Sequence, residues 1–308
     1  MTPRHSSPAP SPVSPGRRRF AGLLLGTLAG PLFGQSPGGN AVEGRRLDFE
    51  VAGDFGNASP ADIRAVLGSA ADSIWRHCPS ARWEVPGFHL YRSEGSPITV
   101  FDHRPDGRIS IGVTTRGTFW SQFAFQFAHE FCHALAGHSN NWKEKQDWIR
   151  KPKANHWLEE CLCETASLFA LRGMGKSWKT APPYPNWKDY GKSLTQYAAE
   201  RLEATAKALS DGFGFRTWFV EHEGPMRKNS TQRELNNVVA RELLPVFESA
   251  PGTWEAVTFY HATRRGPDQS LKERLADWHQ AVPEVHRPAI RRIAAIFGVA
   301  AREVLPTR

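Results

Sequence analysis

His129, Glu130 and His133 are the residues of this chain best spaced for chemistry. They stand as His129-Glu130-Phe131-Cys132-His133, inside a stretch from Phe119 to Ala136 that is apolar nearly all round. Such a stretch reads as a buried helix, ending at Gly137. Residues four apart share a helix face, so both imidazoles project to one side and Glu130 sits beside them. This HExxH arrangement offers two ligands for a zinc ion and a carboxylate able to take a proton from water activated there. The plain alternative is three polar side chains satisfied by core hydrogen bonds. It would have an otherwise apolar helix bury a carboxylate and two imidazoles together, which is costly.

A catalytic zinc usually keeps three protein ligands and one open position, so a third ligand is needed. The extended pattern HExxHxxGxxH would place Gly at 136 and His at 139, where Ala136 and Ser139 stand. Gly137 and His138 each miss by one position, in opposite directions. The better source is a second helix, expected from about Asn155 to Leu171, which carries Trp157-Leu158-Glu159-Glu160-Cys161-Leu162-Cys163-Glu164. Glu160 and Glu164 lie one turn apart on one face. Glu160 can offer a carboxylate oxygen to the metal, and Glu164 can accept a hydrogen bond from the other ring N–H of a ligand histidine. Glu159, about 100° further round the helix, is expected to face solvent or the wall of a cleft. Cys132, one turn from His129, reads as core packing, because free cysteine is among the most buried residue types.

With these residues in place the chain resembles the gluzincin metallopeptidases. They carry HExxH on one helix and a Trp-Leu-x-Glu run on the next, where the Glu is the third zinc ligand. The resemblance spans residues 108–170. It implies His129, His133 and Glu160 as zinc ligands, Glu130 as general base and Glu164 as the supporting acid. It also implies a zincin-like α+β fold, a peptide or protein substrate, and a Tyr or His that donates to the reacting oxygen. Tyr190, Tyr197, His222, Tyr260 and His261 are the candidates for that donor. The family's usual Gly and Ala after the ligand Glu are Cys161 and Cys163 here, and the connection after His133 is longer. A surface connection tolerates such an insertion. The rival from another class is a non-catalytic zincin-like binding protein of the cell envelope, against which the retained Glu130 argues.

The elements that must position this site come next. Leu47, Phe49 and Val51 alternate as a half-buried strand should. Ser59 and Pro60 open a helix whose stripe is Ile63, Val66, Leu67, Ala70 and Ile74. Strands are expected at Phe88 to Tyr91, Ile98 to Phe101 and Arg108 to Val113, the last two joined through Asp106-Gly107. The resemblance implies that Arg108 to Val113 is the substrate-side edge strand. After the two site helices comes a loop from Gly173 to Gly191 whose Trp178, Tyr184 and Trp187 either line the cleft or cover the helical lobe. The remainder reads as helices at Ser193 to Leu209, Thr231 to Glu248, Thr253 to Ala262, Leu271 to Gln280 and His286 to Phe297. The expected layout is a small sheet with the active-site helix (45–138) followed by a mainly helical lobe (155–308).

Composition narrows the function classes. Lys and Arg number 39 against 31 acids, but Arg4, Arg17, Arg18 and Arg19 lie in the first 34 residues, where no acid stands. Without that segment the balance is 35 against 31, so a nucleic-acid partner is not indicated. Residues 1–34 read instead as an export signal: Arg17-Arg18-Arg19-Phe20 precedes a mild apolar run from Ala21 to Phe33. The paired arginines are twin-arginine-like, which points to a periplasmic or secreted product. The run falls short of the roughly 20 residues of a spanning helix, so no stable membrane span is expected. Four cysteines, Cys78, Cys132, Cys161 and Cys163, form no CxxC pair and leave room for one or two bridges in an oxidising compartment.

Overall fold

The computed structural model describes residues 47–82, 85–100, 102–137, 154–209, 214–263 and 268–303. Residues 1–34, expected as an export signal, and His138 and Ser139 lie outside the described residues. Phe49 and Val51 alternate along β1 (Phe49–Ala52). Ser59 caps α1 (Pro60–Trp75) by accepting the Asp62 N–H, with Pro60 in the first turn, where its missing N–H is not needed. The stripe Ile63, Val66, Leu67, Ala70 and Ile74 is fully buried.

α1 crosses over to β2 (Phe88–Arg92), which runs parallel to β1. Two more strands follow, β3 (Ile98–Thr99) and β4 (Ile109–Val113). β4 pairs parallel with β2, and β3 pairs antiparallel with β4, so the sheet order is β1-β2-β4-β3. The expected edge strand is therefore corrected: β4 is interior, and the edges are β1 and the short β3. Ile109, Ile111, Gly112 and Val113 are all buried, the pattern of a strand covered on both faces.

α2 (Trp120–Leu135) packs against β3, β4 and α1 on one side. On the other side it meets α3 (His156–Ser177), the longest helix among the described residues. α2 is buried nearly all round, as its composition demands, and Gly137 closes its end in the left-handed conformation (φ 82°). α3 runs past the expected end at Leu171, through Gly173 and Gly175. Those glycines permit contact rather than ending the helix. A Cβ on Gly175 would stand 3.1 Å from the Gly191 carbonyl oxygen and would also meet the Thr195 side chain, so α4 (Tyr190–Ala206) can pack closely there.

The helical part continues with α5 (Gly214–Lys228) and α6 (Arg233–Ser249), the latter carrying Pro245 inside it. α5 was not expected from the sequence, because Gly224-Pro225 reads as a break. α7 (Thr253–Val257) is shorter than expected: Thr258, Phe259 and Tyr260 bond three residues back and tighten the chain into turns. α8 (Leu271–Ala281) opens on a capping box between Ser270 and Glu273, and α9 (Arg287–Ile296) follows. The architecture is α+β, a four-stranded sheet beside a mainly helical body. All four cysteines are free and buried, and no bridge joins them. Among the described residues no helix is long and apolar enough to cross a membrane.

Candidate metal centre

α2 and α3 face each other, and the polar residues of both meet where they touch. The one-turn spacing of His129 and His133 puts their rings together, with centroids 5.2 Å apart. Both Nε2 atoms address the same carboxylate: His129 Nε2 lies 3.3 Å from Glu160 Oε2, and His133 Nε2 lies 3.7 Å from Glu160 Oε1. Two donors sharing a tetrahedral zinc at about 2.0–2.1 Å stand about 3.3 Å apart, and two such imidazoles have ring centres about 5.2 Å apart. The two rings stand at the separation such a shared ion requires, and the His129–Glu160 distance matches it while the His133–Glu160 distance is 0.4 Å longer, so these residues could hold a metal ion.

The far side of each ring also meets a carboxylate. His133 Nδ1 is 2.8 Å from Glu159 Oε1, a hydrogen bond, and His129 Nδ1 is 3.6 Å from Glu164 Oε1, beyond one. Glu164 thus lies beside the ring it was expected to support, and Arg233 Nε approaches the same oxygen at 3.3 Å. The expectation for Glu159 is corrected. It does not face solvent; it is 1% exposed and bridges His133 to His261, whose Nε2 lies 2.9 Å from Glu159 Oε2. The error has a physical cause: at its own angle on α3, Glu159 is met by His133 of α2 and by His261, so that side of the helix is covered.

Burial disfavours every charge in this cluster, and the opposite charges overcome it. The His133 imidazole, lowered by burial, is raised by Glu160 and Glu159 to about 10. Glu160, raised by burial, is drawn down by His133 and His129 to about 2. Glu164 is the exception: burial holds its carboxyl above the usual range despite His129 and Arg233. His129, His133 and Cys163 also bring one ligand atom each within 4.8 Å of one another, which makes Cys163 a rival third donor. Burial first, then Cys132, Glu160 and Glu159, push the Cys163 thiol well above its ordinary range. Cys132 is fully buried in the core beside it, as expected.

Glu130 is 4% exposed and is held by a residue that the sequence did not single out. The Thr99 hydroxyl on β3 lies 2.8 Å from Glu130 Oε2 and 3.0 Å from the Glu130 carbonyl oxygen. No sequence pattern joins Thr99 to Glu130, because only the sheet order brings β3 against α2. His156 was also missed. Its Nε2 lies 3.5 Å from Glu160 Oε1 and 3.7 Å from Glu159 Oε2, and its one-turn spacing from Glu160 was the available signal.

The other candidates are engaged elsewhere, except His261. Tyr190 accepts the Ser121 N–H, Tyr197 accepts from Arg201, and His222 bonds the Trp218 carbonyl. The buried Tyr260 donates to the Asn155 carbonyl. Trp178 is 1% exposed and, with Tyr184, packs on Trp187, which in turn meets Trp120. Those aromatics cover the helical body and the start of α2. Compared with protein-family models, curated proteins and solved structures, the chain matches none.

Proposed function

We propose that this chain is an exported zinc-dependent peptidase of the gluzincin type. The observation that carries the reading is the shared carboxylate: both histidine Nε2 atoms address Glu160, while the opposite side of each ring meets a separate acid. Backing of ligand histidines by carboxylates is what orients them toward a metal. Glu160 is the third ligand in preference to Cys163. A ligand must shed its proton, and the Glu160 carboxylate is ionised at neutral pH, whereas burial first, and then Cys132, Glu160 and Glu159, oppose a thiolate at Cys163.

A bound zinc would supply the Lewis acidity that polarises a peptide carbonyl and activates water near neutral pH. Glu130 takes up the proton. Thr99 occupies Oε2, so Oε1 is the oxygen that receives it and later delivers it to the leaving amine. β3 holds the substrate. In the antiparallel register Val100 N–H bonds the Ser110 carbonyl, so the N–H and C=O of Thr99 turn away from β4 toward the outer edge. An extended peptide can pair with that edge and lie beside Glu130. The test is incubation of zinc-loaded protein with a mixed peptide library, scoring new N-termini by mass spectrometry before and after chelation. Cleavage abolished by the chelator and restored by zinc is expected; a library left intact would turn the reading toward a non-catalytic binding protein.

A further inference from the structure

We propose that Thr99 is a positioning residue that couples substrate docking to the aim of the base, so that pairing of a peptide with β3 raises turnover as well as affinity. The inference rests on the peptidase reading above. The Thr99 hydroxyl has one proton and two acceptors on Glu130: carboxylate Oε2 at 2.8 Å and the main-chain carbonyl oxygen at 3.0 Å. Given wholly to Oε2, that proton holds the carboxylate by a charge-assisted bond; shared with the carbonyl, it holds it less. Both residues are buried, so Glu130 takes its orientation from Thr99 rather than from solvent.

The sheet itself does little to steady Thr99. β3 has two residues, and its ladder bonds to β4 fall on either side of Thr99. Val100 N–H bonds the Ser110 carbonyl, Ile98 opposite Gly112 is the equivalent bonded position, and Thr99 faces Ile111 as the non-bonded pair between them. Toward the N-terminus the next outward position is Pro97, which has no N–H, and Glu94, Gly95 and Ser96 before it are exposed. Counting from that end, Thr99 is the first residue of the edge able to close both main-chain bonds with one residue of an antiparallel peptide. Those two bonds fix the peptide planes on both sides of Thr99. A β-branched side chain has few χ1 choices on a fixed backbone, so its hydroxyl is fixed with them. The residue that receives the substrate is thus the one that aims Glu130.

The test uses the zinc-loaded full chain and a mixed library of acetylated hexapeptide amides. One cleaved peptide is made again with an N-methyl group at each backbone nitrogen in turn. At one nitrogen away from the scissile bond, N-methylation is expected to weaken calorimetric binding to zinc-loaded Glu130→Gln by about 3- to 10-fold, the effect of one lost hydrogen bond. In the wild type the same change should raise KM and lower kcat together. Thr99→Val keeps the shape and the main chain, so it should leave zinc content and KM unchanged. Its kcat should fall by about 10- to 100-fold, the effect of losing a bond to a charged group, and Thr99→Ser should restore most of it. In Thr99→Val the N-methyl peptide should raise KM alone, because the link from edge to base is gone. The proposal is overturned, with the peptidase reading left standing, by N-methylation that alters KM but not kcat in the wild type, by an unchanged kcat in Thr99→Val, or by no rescue in Thr99→Ser. A library left intact would overturn both.

Discussion

His133 Nδ1 and Glu159 Oε1 are 2.8 Å apart, and the other Glu159 oxygen is 2.9 Å from His261 Nε2. A fully buried carboxylate thus joins an imidazole of the candidate metal centre to one from the turns after α7. In the neutral ring such a bond keeps the proton on Nδ1 and leaves Nε2 as the lone-pair donor, and it raises the ring's basicity. The neighbouring residue, Glu160, supplies the oxygens on the opposite side of the same ring.

Removing that support should weaken the metal site without removing a ligand. Glu159→Ala is expected to lower zinc affinity by about 10- to 100-fold, read by chelator competition. Glu159→Gln keeps an acceptor for Nδ1 and should lose less. Equal affinity in all three proteins would show that Glu159 does not support His133.

Glu160 and Cys163 make separable claims on the third ligand position. Glu160→Ala is expected to lose its zinc in metal analysis, while Cys163→Ala retains it. The reverse pattern would assign the site to His129, His133 and Cys163.

The metal-free cluster should also set a pH dependence. His133, raised to about 10, contributes stability that is full below its ordinary 6.5 and lost as pH rises through 10. Glu160, lowered to about 2, contributes stability present above its ordinary 4.5 and lost as pH falls through 2. Their joint stabilisation of the metal-free protein is therefore greatest between about pH 4.5 and 6.5. Zinc must displace the His133 proton, so its apparent affinity should climb with pH between pH 7 and 9, by about tenfold per pH unit for each proton released. Calorimetry in buffers of different ionisation enthalpy would count the released proton; affinity independent of pH over that range would contradict the assignment.

Export can be tested apart from the chemistry. Replacing Arg17 and Arg18 by Lys is expected to retain the chain in the cytoplasm if the twin-arginine route carries it, as cell fractionation would show. Unchanged export would favour the general secretory route instead.

Much of the site was legible because its helices are periodic. The one-turn spacings of His129 with His133 and of Glu160 with Glu164 place each pair on a shared face, and the structure brings the two faces together. Glu159 was misread because an angle about the helix axis does not say which side other elements cover, and His133 and His261 cover the side that Glu159 takes. Thr99 could not be seen, since its contact with Glu130 depends on β3 closing the sheet beyond β4. The same tertiary information made β4 interior. Gly173 and Gly175 look like helix breakers until α4 is known to pack over Gly175.

Glu130→Gln tests the central claim most directly. Glu130 is not among the proposed ligands, so the variant should fold and hold zinc as the wild type does. Its zinc-dependent peptide cleavage should fall by about 10²- to 10⁴-fold, the usual contribution of a positioned general acid–base group. Cleavage at the wild-type rate by zinc-loaded Glu130→Gln would contradict the account.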